Sequence, residues 1–145
     1  HYLSKYDSSK KNLSDILKKR ILKANLSDYE KIRLTKSIKD IVTRLENNKL
    51  IDDNRYCESK ILFLSKNGKS KNFISNYLIK KGINKSDINA NLSLFKETNL
   101  NWELDSAKLY VRKKRLLELD ISYEKKLAKM ARAGFNYEIC KKILG

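Results

Sequence analysis

The sequence predicts an all-α fold, and three features of its composition support this. The chain has 145 residues with no proline and only four glycines, whereas all-β folds need turn residues at frequent intervals. Its apolar residues are mostly Leu and Ile, spaced as on the buried side of a helix. No apolar run approaches the roughly 18 residues that span a bilayer. Two distant cysteines cannot build a disulfide scaffold, and 41% hydrophobic residues is too many for a disordered tail.

A first unit is predicted over residues 1–50, with its N-terminal helix expected to be incomplete. One helix spans 8–24 and is capped by Ser8 or Ser9. The next begins at Ser27 or Asp28 and ends near residues 47–49. The residues expected on the two apolar faces are Leu13, Ile16, Leu17, Ile21, Leu34, Ile38, Ile41, Val42 and Leu45.

A second unit is predicted over residues 51–98, with three helices separated by glycines. Asp52 or Asp53 caps a helix that ends before Gly68, and a shorter helix runs from Ser70 to Gly82. Ser86 or Asp87 is expected to cap the third helix. The expected inward residues are Tyr56, Cys57, Ile61, Leu64, Ile74, Tyr77, Leu78, Ile88, Leu92 and Phe95.

A third unit is predicted over residues 99–145. It begins in a polar linker at 98–104 around Trp102. Asp105 or Ser106 is expected to cap a helix that runs to about Leu119. Ser122 caps a second helix, which Gly134 ends, and a last helix follows. The expected inward residues are Ala107, Tyr110, Val111, Leu117, Tyr123, Leu127, Met130, Ala131, Ile139, Cys140, Ile143 and Leu144.

The second and third units resemble each other in sequence. The segments 78–83 and 130–135 each join a short helix to a glycine and an apolar residue, and their glycines lie 52 residues apart. Residues 17–21 form a weaker third copy without the glycine. A period of this length indicates stacked helical units, so the sequence predicts an elongated array of three tandem three-helix repeats. A compact helical bundle is the alternative.

Several segments, in order along nearly the whole chain, resemble motifs of RecX regulatory proteins. Residues 50–57 resemble an acidic helix-start motif of that family, and residues 68–83 resemble its central G…I…L..KGI motif. Residues 132–135 resemble its C-terminal R-x-GF motif. The opening motif is represented by Tyr2, Leu3, Ser9, Leu13 and Leu17. The chain departs from the family pattern at Cys57, Phe73 and Tyr77, and residues 18–36 align poorly.

This resemblance implies three tandem three-helix units and a role in homologous recombination and DNA repair, within the SOS response. It further implies that the protein binds RecA recombinase filaments on DNA. Such a protein would lie in the groove of the filament and bridge RecA subunits. It would inhibit filament extension, ATP hydrolysis and strand exchange.

The residues themselves offer little material for catalysis, so we expect no enzyme, no cofactor and no metal site. His1 is the only histidine, which leaves no catalytic triad. All glycines are isolated, so no phosphate-binding loop exists. Adjacent Asp52 and Asp53 are explained by helix capping, and Cys57 and Cys140 lie at apolar positions typical of core cysteines.

The basic residues are the more informative chemistry, because the formal net charge is +16. Lys108, Arg112 and Arg115 follow helical spacing, and Lys113, Lys114 and Lys129 add to nearby clusters. If the repeats stack, the clusters could align into one stripe that attracts phosphates or an acidic protein. The candidate stripe residues are Lys18, Lys19, Arg20, Lys69, Lys71, Lys80, Lys81, Lys108, Arg112, Arg115, Lys125, Lys126 and Arg132. The alternative is that lysines merely solvate the helices.

Other readings remain open at this stage. Trp102, Tyr110 and Tyr123 could stack on bases, although packing is the usual role of aromatics at helical spacing. The protein could instead bind naked DNA without RecA, or act as an adaptor for an unrelated acidic protein. With no sign of export, we expect a cytoplasmic monomer with no membrane partner.

Overall fold

The structure is a computed structural model that describes residues 8–145. Every regular element in that range is helical, so the predicted all-α fold class is confirmed. His1 and the Tyr2-Leu3 part of the family resemblance lie outside the described residues. In the described range, no helix is long and apolar enough to cross a membrane. The helices are α1 (Lys10–Lys23), α2 (Asp28–Asn47), α3 (Asp53–Lys66), α4 (Lys71–Lys80), α5 (Lys85–Thr98), α6 (Trp102–Lys114), α7 (Tyr123–Arg132) and α8 (Tyr137–Leu144), with a 3-10 turn at Leu116–Glu118.

The chain divides into two compact units. The first comprises the chain up to Tyr56 together with Lys81–Ile83, and the second comprises Cys57–Lys80 and Asn84–Gly145. The predicted boundaries after residues 50 and 98, and the arrangement as three repeats, therefore stay predictions.

The first compact unit has a small core between α1 and α2. Leu13, Ile38, Val42 and Ile51 are buried there. The prediction that Leu34 and Ile41 point inward is wrong, since they are 37% and 41% exposed. At 100° per residue, Leu34 and Ile41 lie to one side of the direction that the buried Ile38 and Val42 share, so α1 covers the latter two and leaves the former exposed.

The second compact unit has a core formed by α6, α7, α8 and the turn after α6. Its buried residues are Ala107, Val111, Leu116, Met130, Phe135 and Cys140. Cys57 is buried as well, so both cysteines are core residues as predicted. The predictions for Leu117, Tyr123 and Ala131 are wrong, because all three are exposed. Leu116 takes the inward position instead of Leu117, because α6 has already ended at Lys114.

The start of α6 also differs from the prediction. Residues 98–104 are not a linker, since α6 begins at Trp102 and neither Asp105 nor Ser106 caps it. Trp102 is buried and makes an edge-to-face contact with Phe95, with ring centroids 5.6 Å apart. Aromatic packing of this kind explains why a segment rich in polar residues is helical.

Most of the predicted helix caps are confirmed. The side-chain oxygens of Ser9, Ser27, Asp52 and Ser122 accept hydrogen bonds from backbone N–H groups in the first turns of α1, α2, α3 and α7. Besides α6, the cap of α5 differs from the prediction, because Asn84 rather than Ser86 or Asp87 is the cap. Its Oδ1 accepts from the N–H of Asp87 at 2.8 Å.

Two of the capping serines make a second bond that the sequence did not predict. Ser9 Oγ donates to the carbonyl of Lys81 at 2.6 Å, and Ser70 Oγ donates to the carbonyl of Ala133 at 2.7 Å. Each acceptor directly precedes a glycine with positive φ, namely Gly82 and Gly134. A Cβ on Gly82 would lie 2.5 Å from Lys11 Cβ, and one on Gly134 would collide with Ser70 Oγ. We call each arrangement a serine–glycine junction.

Candidate functional site

The candidate site is built around α6, whose last turn is strongly basic. A hydrogen bond from Ser106 Oγ to the carbonyl of Lys69 at 2.6 Å fixes this helix against the turn between α3 and α4. Gly68 permits the close approach, because a Cβ there would lie 3.1 Å from the backbone nitrogen of Tyr110. At 100° per residue, Lys108 and Arg112 lie on a different side of α6 from Tyr110 and Lys114.

On one side of α6 lies a groove that we call the α6–α7 groove, with a volume of about 660 Å³. Four cationic side chains line it together with aromatic and aliphatic groups. Lys69 Nζ lies 4.7 Å from the ring centroid of Phe73, a favourable cation–π distance. Tyr110 OH donates to the carbonyl of Lys129 at 3.4 Å. Its lining includes Lys69, Phe73, Tyr110, Lys114, Leu116, Leu119, Lys129 and Arg132.

Tyr110 serves this groove as a neutral hydrogen-bonding group. Burial raises the pKa of its phenol, and the positive charge of Arg132 opposes this only in part. The hydroxyl therefore keeps its proton at neutral pH. The ring also packs against Phe135, with centroids 5.4 Å apart, so Tyr110 is one wall of the groove and a member of the core at once.

On another side of α6 lies the α6–α8 groove, of about 380 Å³. Lys108, Arg112, Arg115 and Lys142 surround an apolar floor that includes Val111 and Ile143, and Glu118 is the acidic residue in the lining. Within the described residues, none of these four cations makes an ion pair. Four cations and one carboxylate give this groove a net positive charge, which attracts an anion.

Arg115 holds an unusual backbone conformation in this groove. It follows the last residue of α6 with φ 49° and ψ 40°, the left-handed region in which glycine is favoured. Its guanidinium side chain nevertheless lines the same groove as Lys108 and Arg112.

The structure therefore gathers five of the predicted stripe residues into two grooves. Lys69 and Arg132 line the first, and Lys108, Arg112 and Arg115 line the second. Lys71, Lys80 and Lys125 are exposed outside both grooves, and Lys18, Lys19 and Arg20 lie on α1 in the other compact unit. A single stripe along all three predicted repeats stays a prediction.

Two further stripe candidates have internal roles. Lys81 Nζ donates to Asn12 Oδ1 at 3.3 Å within the first compact unit, and Lys126 Nζ donates to the carbonyl of Leu117 at 3.2 Å. Lys142 is the residue that sequence reasoning missed. It lies about 30 positions after Arg112 on another helix, and no local pattern connects the two.

Several residues of the types used for metal binding or nucleophilic catalysis have structural roles in the described part of the chain. No group of three or more His, Cys, Asp or Glu residues there could hold a metal ion. Asp52 is a helix cap, and Asp53 Oδ1 accepts from the N–H of Lys10 at 2.8 Å. Burial raises the pKa of the Cys140 thiol, which keeps it protonated and a weak nucleophile.

The fold and the grooves define a basic, all-α protein that is suited to an anionic partner. No family model matches the chain. Among curated proteins, it is 28% identical to the regulatory protein RecX of Myxococcus xanthus over 152 residues, covering 99% of this chain and 80% of that protein. The resemblance to the RecX family predicted from the sequence motifs is confirmed.

Solved structures agree in fold. A crystal structure of regulatory protein RecX superposes with a TM-score of 0.73 at 21% identity, covering 97% of this chain. RecX from Lactobacillus salivarius superposes with a TM-score of 0.68 at 23% identity, covering 99% of this chain and 87% of that one. The chain spans 64% of the length of the first of these structures.

Proposed function

We propose that this protein is a non-enzymatic regulator of RecA–DNA filaments that acts in the cytoplasm as a monomer. Bound to a filament, it inhibits filament extension, ATP hydrolysis and strand exchange. The observation that carries the proposal is the pair of cationic grooves beside α6, in a chain similar over nearly its full length to a RecX protein.

The grooves suggest how binding works. Each places several cations around a concave surface, and phosphates on neighbouring nucleotides or carboxylates on a protein surface can fill it. Two grooves on different sides of one helix can engage two parts of a filament at once. Multivalent engagement makes the combined binding much stronger than either contact alone, and a bridge of this kind opposes the rearrangements that subunit addition and strand exchange require.

The experiment is the ATPase activity of a bacterial RecA on single-stranded DNA with the full chain added at substoichiometric ratios. Wild type should inhibit, and Lys108→Glu/Arg112→Glu should weaken inhibition by about 10-fold or more, because two groove cations are reversed. The matched control is Lys85→Glu/Lys96→Glu, which makes the same charge change on α5 outside both grooves. The control should stay within about twofold of wild type. Absence of inhibition by wild type at every ratio would refute the proposal.

The net charge of +16 also favours a second function, direct binding of naked DNA without RecA. The affinities of the wild-type protein for naked and for RecA-coated DNA distinguish the two functions. If affinity for naked DNA equals that for RecA-coated DNA, the second function is the correct one.

A further inference from the structure

The end of the α1–α2 hairpin is a solvent-exposed surface in the first compact unit. We define the hairpin tip as residues 18–37, which include the last turns of α1, the connecting loop and the first half of α2. None of these 20 residues is buried. The tip nevertheless contains several large apolar side chains, and Leu22, Tyr29 and Ile32 are 68%, 74% and 56% exposed.

Hydrogen bonds within the tip order it without covering these side chains. Lys31 Nζ donates to the carbonyl of Leu22 at 3.0 Å, which connects α2 to the end of α1. Ser27 caps α2, and Thr35 Oγ1 donates to the carbonyl of Lys31. The helices therefore hold their form while their apolar side chains stay in solvent. Tyr29 and Ile32 lie three positions apart and share one side of α2, and exposed apolar groups that are neighbours indicate an interaction surface more strongly than single ones.

The charge of the tip indicates the chemistry of its partner. Two acidic residues, Asp28 and Glu30, lie in the first turn of α2, where they complement the helix dipole. Seven basic residues outnumber them, namely Lys18, Lys19, Arg20, Lys23, Lys31, Arg33 and Lys36. A surface that combines this charge with exposed aliphatic and aromatic groups complements an acidic rim around an apolar pocket.

This combination favours a protein as the occupant. A phosphate backbone would satisfy the lysines and arginines but would leave Leu22 and Ile32 without apolar contacts. A second copy of this chain is disfavoured, because each copy carries a formal charge of +16. A helix that inserts apolar anchors into a groove of another protein uses both properties.

We infer that the hairpin tip is a protein-docking element, whose occupant is an acidic protein surface with an apolar pocket. The inference rests on the proposed function, under which that surface belongs to a RecA subunit of the filament. The tip then binds a protein surface, whereas the grooves beside α6 bind anionic groups of the filament. This assigns partner chemistry to residues 18–37, which include the segment 18–36 that aligns poorly with the RecX motifs.

The first test compares affinity for RecA-coated and for naked single-stranded DNA of the same length. The variant Leu22→Ser/Ile32→Ser removes two exposed anchors from the tip. It should bind coated DNA about 10- to 100-fold more weakly, because two aliphatic side chains lose their buried contacts, and naked DNA within about twofold of wild type. The matched control is Leu94→Ser/Leu100→Ser, at two residues 58% and 72% exposed in the other compact unit. Both of its affinities should stay unchanged.

The outcomes separate this inference from the proposed function. If wild type does not prefer coated DNA, the proposed function fails and the inference fails with it. If wild type prefers coated DNA and the tip variant binds it equally well, only the inference is refuted. Loss of naked-DNA affinity in the tip variant would also refute it, because the tip would then contact nucleic acid. Circular dichroism at 222 nm verifies that each variant is folded.

A second test identifies the occupant directly. Tyr29→benzoylphenylalanine places a photoreactive group at the aromatic residue of the tip, which is 74% exposed. Irradiation with RecA filaments should yield a covalent product with RecA. A product with DNA or with a second copy of the chain would overturn the inference, as would Leu22- and Ile32-dependent binding to anionic phospholipid vesicles without RecA.

Discussion

Removal of the Ser70 hydroxyl should destabilise the protein more than the same change at Ser122. Both serines are N-caps, with Oγ accepting from the N–H three residues on, at 3.1 Å for Ser70 and 3.3 Å for Ser122. Loss of a serine cap costs about 1 kcal/mol. Ser70 is 1% exposed and also donates to the carbonyl of Ala133. Loss of that buried hydrogen bond adds about 1–2 kcal/mol.

The expected costs are therefore about 1 kcal/mol for Ser122→Ala and about 2–3 kcal/mol for Ser70→Ala. For a chain of 145 residues, an unfolding entropy of about 2.1 cal/mol/K per residue converts 1 kcal/mol to about 3 °C in Tm. The two Tm values should differ by about 3–6 °C in scanning calorimetry. Urea unfolding followed at 222 nm gives an independent free energy.

Ser122→Ala is a matched control, because it removes only a helix cap, whereas Ser70→Ala also removes the bond to the Ala133 carbonyl. Ser9→Ala supplies a second instance of the serine–glycine junction in the first compact unit, where Ser9 is fully buried. It should cost as much as Ser70→Ala. If Ser70→Ala and Ser122→Ala have equal costs, the bond to the Ala133 carbonyl contributes no stability and the reasoning is wrong.

Four further outcomes are expected. Gly134→Ala should destabilise by roughly 2 kcal/mol or more, because φ is +98° and the new Cβ collides with a buried serine oxygen. Gly145→Ala has the same backbone strain, with φ +89°, but no atom near the new Cβ, so it should cost about 1 kcal/mol or less in the same urea assay. Arg115→Gly should raise the unfolding free energy by about 0.5–1 kcal/mol, because it relieves a left-handed backbone, while weakening filament binding; a stability loss would contradict this. Lys108→Ala should lower the slope of log affinity against log salt by about one, as measured by fluorescence anisotropy on DNA. Tyr110 has a raised pKa, so above about pH 10 the unfolded state loses its proton first; stability should therefore fall with rising pH more in wild type than in Tyr110→Phe, as compared in urea titrations from pH 8 to 11.

Local rules explain what the sequence predicted well. A serine or aspartate cap bonds to a backbone N–H within three residues, so Ser27 and Ser122 could be placed without tertiary information. The glycine stops follow from the positive φ that those turns need. The sequence did not predict that α6 begins at Trp102, because the contact between Trp102 and Phe95 is tertiary. The neighbouring polar residues are instead typical of a linker.

Tertiary contacts explain why the site could be predicted only in part. Periodicity predicts that Lys108 and Arg112 share one side of one helix, and both line the α6–α8 groove. It could not add Lys142, which α8 brings to the same groove. Nor could it separate the α6–α7 groove from the α6–α8 groove, because that separation depends on which helices pack on each side of α6.

Arg115 offers an experimental test between two interpretations of the basic residues. If lysines and arginines merely solvated the helices, the position after α6 would gain from a glycine, as found after α3, α4 and α7 at Gly68, Gly82 and Gly134. Instead it holds an arginine at φ 49°, at a cost of roughly 1 kcal/mol. Lys49, after α2, also has a positive φ of 59° and lines neither groove, so the backbone conformation alone does not assign binding to Arg115. Arg115→Gly separates the two interpretations: under the proposed function it weakens filament binding while it raises stability, whereas under solvation it raises stability and leaves binding unchanged.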